Sequence, residues 1–420
     1  MASTPDFETL LRRTLLALVL VLPCLFGFIT TYLLLLVALV GLVWLLLPGQ
    51  RAQGALQLDR AGKLLLAGFL GLAAVIAIDA LVAGRPRDLL YALDFGMLAL
   101  YAPLASLLRR GAGPRNAAIV ADLALAGTAI ALVVAVAEEL VYHPDRAGFI
   151  GNDPIRFGDT ALILGFLALS GVVAHKGARR WLYLLGPLFA VLVDLMSGAR
   201  SALVVFPLLT VLAVILLVQR RAVAAAIGGG AVVLFGGAVG IALLLHNSRV
   251  ASVIEIARAM LGGGTVADEA TRERLVLYRA GWSAFQQAPW LGVGWHERMQ
   301  AITPLLPDAD RALGGLPHLH NEMLNFAVGA GIAGVLIYLL LLAAPIMGLL
   351  TSPPDGQRRV QRYGVALLLA SYVALGLADV MLGFETHTAL YVAWAAVLLG
   401  YCRDDAENDR PGHAAVSPRP

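Results

Sequence analysis

The sequence predicts an all-α polytopic integral membrane protein of about twelve transmembrane helices, and three observations carry that prediction. Apolar residues fill 59% of the 420 positions, charged residues only 14%, and the mean hydropathy is +0.80, a balance foreign to a soluble multidomain chain. Apolar runs of about 20 residues, enough to cross a hydrocarbon core of roughly 30 Å, follow one another from Thr14 to Tyr401. Basic residues alternate in density between successive connections, as the two sides of a bilayer require.

Cutting at glycine, proline and charge clusters places the spans at 14–30, 32–47, 63–83, 89–107, 117–137, 158–174, 181–198, 201–218, 222–245, 321–350, 363–382 and 387–401. The first two are separated only by Thr30-Thr31. Thirteen mixed residues ending in Arg12-Arg13 lead into an apolar stretch too long for a signal-peptide core, so the first span is expected to be retained. With the N-terminus inside, 19 of the 31 basic residues lie inside; seven of the remaining twelve fall in one long outer segment that weighs little in orientation. Both termini are therefore expected inside. The organisation that follows is nine spans over 1–245, an outer loop with amphipathic helices over 246–320, three spans over 321–402, and a charged tail over 403–420. A loop of that length between short connections usually carries function.

A net charge of +3 gives no basis for nucleic-acid binding. Cys24 and Cys402 lie at opposite ends of the apolar region, which indicates neither a disulfide framework nor a cysteine metal site. Six acids fall inside apolar spans, where ionisable residues mark function: Asp79, Asp94, Asp122, Asp159, Asp194 and Asp379. All but Asp122 are near the outer ends of their spans, which predicts a polar cavity opening outward.

The outer loop contains an amphipathic run over Asp268–Gln287, stopped by Pro289. At 100° per residue Leu275, Tyr278, Trp282 and Phe285 share a stripe, bordered by Arg274 on one side and by Arg272 and Arg279 on the other. Such a helix suits a phosphorylated lipid whose tail stays in the bilayer; its plain alternative is a connector with solvated arginines. Pro289 to Gly294 (PWLGVG) reads as a turn. The segment closes on Pro317-His318-Leu319-His320-Asn321, where Asn321 is a natural N-cap and His320 lies at the mouth of the next helix, suited to proton removal near neutral pH. His318 and His320 are two apart and share no helical face, so no zinc pattern is complete. Asp308-Ala309-Asp310 reads as a solvated acidic loop.

These pieces, in their order and spacing, resemble the bacterial O-antigen ligases, within the larger group that includes O-antigen polymerases and protein O-oligosaccharyltransferases. His320-Asn321 followed after nine residues by Gly331, and after two more by Gly334, is similar to the family's histidine signature. Arg274 to Gly294, RLVLYRAGWSAFQQAPWLGVG, resembles the arginine, aromatic and glycine segment ahead of that histidine. Ser197-Gly198-Ala199-Arg200-Ser201 resembles the turn ending in arginine, and Asn152 to Phe157 an outer turn from which Arg156 carries over. His318 is a second candidate for the histidine.

The resemblance implies a fold like that of GT-C-type glycosyltransferases and a periplasmic active site in the bacterial inner membrane. It implies transfer of O-antigen polysaccharide from undecaprenyl pyrophosphate to a sugar hydroxyl of the lipid A-core, with inversion. His320, Arg274 and Arg200 are expected to be catalytic; Arg279, Arg272, Asn321, His318 and Arg156 are expected to bind substrate. No metal and no cofactor are expected. The nearest alternative is a polymerase joining lipid-linked repeats. A protein O-oligosaccharyltransferase would carry a larger soluble C-terminal part. From another class, a flippase would perform no chemistry.

Overall fold

A computed structural model describes residues 6–52, 54–143, 145–148, 150, 152–217, 228–230, 236 and 268–404. Regular structure is helical throughout, and no strand occurs among the described residues. Most of the expected span at 222–245, the first part of the outer loop and the tail beyond Asp404 lie outside the described residues.

Helix α1 (Phe7–Leu20) is capped by Asp6, whose carboxylate accepts the Thr9 N–H at 2.7 Å. Pro23 and Gly27, the latter at φ +53°, then break the apolar run before α2 (Ile29–Leu46). The interruption thus falls well before Thr30-Thr31, which sit buried inside α2; Thr31 Oγ1 donates to Thr386 Oγ1 at 3.0 Å. Next come α3 (Arg60–Val82), a 3-10 segment Pro86–Leu100 running into α4 (Tyr101–Arg109), α5 (Asn116–Tyr142), α6 (Pro154–Ala168), α7 (Leu185–Ser197) and α8 (Arg200–Leu217). After the undescribed stretch follow α9 (Glu269–Gln287), α10 (Glu322–Thr351), α11 (Arg358–Gly376) and α12 (Glu385–Ala396).

Eight helices or end-to-end helical segments among the described residues are long and apolar enough to cross a membrane, so this is a polytopic membrane protein. They are Ile29–Leu46, Arg60–Val82, Pro86–Arg109, Asn116–Tyr142, Pro154–Ala174, Ala178–Ser197, Arg200–Leu217 and Glu322–Thr351. The expected spans at 363–382 and 387–401 fall on α11 and on α12 with its extension Val397–Tyr401, neither of which is among those eight; α11 starts earlier and stops at Gly376, leaving 377–384 as a loop.

Two helices lie at the centre. The Pro154–Ala174 segment is 83% buried against 33–50% for the other seven, and every residue from Thr386 to Ala396 of α12 is buried. Small residues make this closeness possible: a Cβ on Gly165 would stand 2.6 Å from the Gly186 carbonyl oxygen, so α6 and α7 touch backbone to backbone. Asp153 and Pro154 start α6, the Asp153 carboxylate accepting the Ile155 and Arg156 N–H groups. Arg156 and the 377–384 loop are thereby set at the same end of the two central helices.

Over that end lies a cap with its own apolar core, in which Leu277, Ala280 and Ala284 of α9 pack on Ile302, Leu313 and Leu319. Of the anticipated stripe, Tyr278 and Phe285 also pack against this core, partly buried. Leu275 and Trp282 are exposed on the outside, and small residues let the backbone approach α10; a Cβ on Gly281 would meet Leu324 at 2.8 Å. The PWLGVG turn docks against α10 where Gly331, at φ 62° and ψ −152°, interrupts the helix. Ile332 N–H donates to the Pro289 carbonyl at 2.7 Å and Val293 N–H to the Val328 carbonyl at 2.8 Å.

Candidate functional site

The site is assembled around the start of α10. Asn321 is the N-cap, its Oδ1 accepting the Leu324 N–H at 3.0 Å. The preceding residue, His320, holds φ +51°, a left-handed conformation rare outside glycine and characteristic of tightly constrained positions. Tyr278 of α9 helps fix it: its hydroxyl proton is shared between the carbonyls of His320 at 2.7 Å and Leu377 at 2.8 Å. Glu322, buried in the first turn, accepts the N–H groups of Met381 at 2.7 Å and Leu382 at 2.8 Å. The cap helix and the 377–384 loop are thus tied to the same turn of α10.

That tie delivers Asp379. Its Oδ1 lies 3.5 Å from His318 Nε2 and 3.6 Å from His320 Nδ1, and the two imidazole rings meet edge to face at 4.3 Å between centroids. His318 Nδ1 accepts the backbone N–H of His320 at 3.2 Å, which assigns its hydrogen to Nε2, toward Asp379. Burial pushes His318 down to about 4, so this ring is neutral at physiological pH. With His320 Nδ1 also directed at the carboxylate, the free Nε2 of His320 is the basic atom of the group. At 3.6 Å the His320 contact is longer than a hydrogen bond, as is common for catalytic pairs without substrate.

The donor atoms of His318, His320 and Asp379 all lie within 4.8 Å of one another, a spacing that could hold a metal ion. This corrects the reading that the two histidines complete no such pattern: they sit in a loop rather than on a helix, and the third donor comes from 59 residues away. The His318 tautomer opposes ligation, because the nitrogen nearest Asp379 carries the hydrogen and the other is engaged by the backbone.

The cations differ in availability. Arg274 of α9 has no hydrogen-bond or ion-pair partner among the described residues and lies within electrostatic reach of buried Asp159. Arg156 sets its guanidinium 3.5 Å over the Phe384 ring, and Phe384 also packs edge-on against His318. Arg200, first residue of α8, donates to Asp268 Oδ1 at 2.6 Å, while Asp268 Oδ2 caps α9 through Thr271 at 2.9 Å. Partial burial pushes the Asp268 carboxyl up, but its bonds to Thr271 and Arg200 outweigh this and hold it below the usual carboxylate range. Arg279 is exposed and its side chain has no partner among the described residues.

Arg272 is engaged elsewhere. Its guanidinium bonds Asp310 at 2.7 and 3.1 Å and Glu269 at 2.7 and 3.0 Å, bracing α9 against the Asp308–Gly315 turn. Asp310 is correspondingly buried and held low by Arg272, so the 308–310 pair is not a solvated loop; only Asp308 is exposed.

Of the residues expected from sequence, His318, His320, Asn321 and Arg156 come together around the start of α10, Arg274 stands within electrostatic reach of Tyr278 and Asp159, and Arg200 is bound to Asp268 at the start of α9. Three participants were missed as site residues. Asp379 stood out only as one of six acids in apolar runs, Tyr278 only as part of a stripe, and Glu322 not at all.

Residues 182–339 match a family model described as O-antigen ligase. The matched stretch contains Arg200, Arg274, His318 and His320, and stops before Asp379. No curated protein matches the chain.

Proposed function

We propose, from the match of residues 182–339 to a family model described as O-antigen ligase, that this chain is a glycosyltransferase acting on a lipid-linked glycan. In this reading it transfers O-antigen polysaccharide from undecaprenyl pyrophosphate to a sugar hydroxyl of lipid A-core at the periplasmic face of the inner membrane. The observation that carries the chemistry is a histidine with one free ring nitrogen, backed by a partly buried carboxylate, with an unpaired arginine on the helix whose Tyr278 holds that histidine, at one end of a membrane helix bundle.

The acceptor hydroxyl is a weak nucleophile. His320 Nε2 takes its proton as the oxygen bonds to the anomeric carbon, while the bond from that carbon to the phosphate oxygen breaks. Asp379 stabilises the imidazolium that forms, and His318, neutral and fixed, holds Asp379 from the far side. Charge grows on the departing pyrophosphate; Arg274 faces it unpaired, and guanidinium forks suit phosphate oxygens. Arg200 joins when the anion replaces Asp268. Arginines thus provide the electrostatic stabilisation that a metal gives in other enzymes, and attack opposite the leaving group inverts the anomeric centre.

The test is transfer by the reconstituted protein from a lipid-linked glycan, with and without lipid A-core, with chelator, for wild type and His320→Ala. Core-dependent, chelator-resistant product that disappears in the variant supports the ligase reading. Longer lipid-linked chains without core would make it a polymerase. Flipping with no product would replace both with a transporter.

A further inference from the structure

The opposite end of the bundle holds a second cationic site. Helix α11 begins there with Arg358, Arg359 and Arg362, eighteen residues before Gly376 and the Asp379 loop. Together with Asp355 and Gly356 these arginines line an open cleft of about 580 Å³ whose other wall is Ile215 and Leu216 of α8. That volume is sufficient for a phosphate headgroup and the first methylenes of an attached chain.

The charges in the cleft are not balanced from within. Arg359 is used structurally, its guanidinium donating to the carbonyls of Leu216 and Leu217 and so joining α11 to α8. Asp355 is the one carboxylate among the lining residues, and its oxygens accept amide groups of Gln357 at 2.9 Å and of Gln361 and Asp404 at 3.4 Å rather than an arginine. Arg358 has Nε and Nη1 shielded from solvent with no hydrogen-bond partner. Arg362, one turn further, is exposed, and its side chain has no partner among the described residues. Burying charged donors without an acceptor is unfavourable, and like charges four residues apart on a helix repel. The positive end of the α11 dipole adds to the same field. Simple solvation accounts for Arg362 but not for the shielded atoms of Arg358.

The apolar wall says what kind of anion fits. Ile215 is 68% exposed directly beside these arginines, at the end of a membrane-crossing helix. We propose that the cleft binds an anionic phospholipid from the leaflet opposite the candidate active site, its phosphodiester on Arg358 and Arg362 and an acyl chain along Ile215 and Leu216. The lipid bridges α8, which carries Arg200 at its far end, and α11, which leads into Asp379. None of this depends on the reaction proposed above.

The test is native mass spectrometry of the full chain released from detergent with phosphatidylglycerol or phosphatidylcholine at equal concentration, for wild type, Arg362→Gln and the double variant Arg358→Gln/Arg362→Gln. Expected are more phosphatidylglycerol than phosphatidylcholine adducts, and affinity for the anionic lipid about tenfold weaker in the double variant. Arg362→Gln changes an exposed side chain, keeps the fold, and is expected to lose part of that preference. Equal retention of both lipids by wild type would overturn the proposal, as would unchanged phosphatidylglycerol binding in both variants. Displacement of the lipid by millimolar inorganic phosphate would mean a soluble-anion site and would overturn the lipid assignment.

Discussion

Replacing Asp379 by Asn isolates the electrostatic part of the mechanism. Asn keeps the shape, and its Oδ1 can still accept the Val380 N–H that Asp379 accepts at 2.9 Å. The ties from Glu322 and Tyr278 to the same loop do not involve the side chain, so the fold is expected to survive. What disappears is a negative charge 3.6 Å from the ring nitrogen of His320. At an effective dielectric constant of about 20, attraction between unit charges at that separation is ~5 kcal/mol, felt only when His320 has taken the acceptor's proton. Part of it is offset by the amide dipole and by solvent. The expected outcome is a fall in kcat of about 10³-fold with little change in donor KM. The assay is single-turnover transfer in proteoliposomes from a fluorescent lipid-linked glycan, with thermal unfolding measured in parallel. A kcat within tenfold of wild type at unchanged Tm would refute the role assigned to Asp379.

Other expectations concern neighbouring parts of the site. His320→Ala should insert and fold yet lose transfer, whereas Arg274→Ala should weaken use of the donor, seen as a rise in donor KM together with a lower kcat. Gly331→Ala would place a Cβ 2.4 Å from the Trp290 backbone in a conformation that L residues avoid; a loss of about 3–5 kcal/mol in stability and of the PWLGVG docking is expected by chemical denaturation. Because burial holds His318 at about 4 while a free histidine titrates near 6.5, the unfolded chain binds the extra proton first. Stability should therefore be full above pH ~6.5 and fall as pH drops toward about 4, and His318→Gln should flatten that slope in pH-dependent unfolding.

Much of this was readable from local pattern. Apolar runs located the helices because a bilayer demands them, and Asn321 was recognisable because N-capping depends on its own side chain and the next turn. The arginine and histidine segments were likewise recognisable, since each occupies a few consecutive residues. What escaped depends on partners distant in the chain. Asp379 acts through a histidine 59 positions earlier, and its loop is placed by Glu322, whose bonds to Met381 and Leu382 no local pattern shows. Arg272 looked as available as Arg274 until the fold set Asp310 beside it. The break between α1 and α2 was misplaced because Pro23 and Gly27 lie inside an apolar run whose hydropathy never falls.

The interruption at Gly331 divides the labour within α10. The stretch after it, residues 332–351, is by itself ~30 Å long, the thickness of a hydrocarbon core. The nine residues from Glu322 to Ala330 are surplus to any crossing requirement. They form a short pedestal with His320 at its tip, held from the side by the Val293 N–H on the Val328 carbonyl, while the Pro289 and Trp290 carbonyls of the same turn accept Ile332 and Ala333 of the lower rod. A tilt of the long lower rod, imposed by a thicker or thinner bilayer, therefore has a second route upward besides the glycine: through Ile332 and Ala333 into the PWLGVG turn, and from Val293 back to Val328 below the histidine.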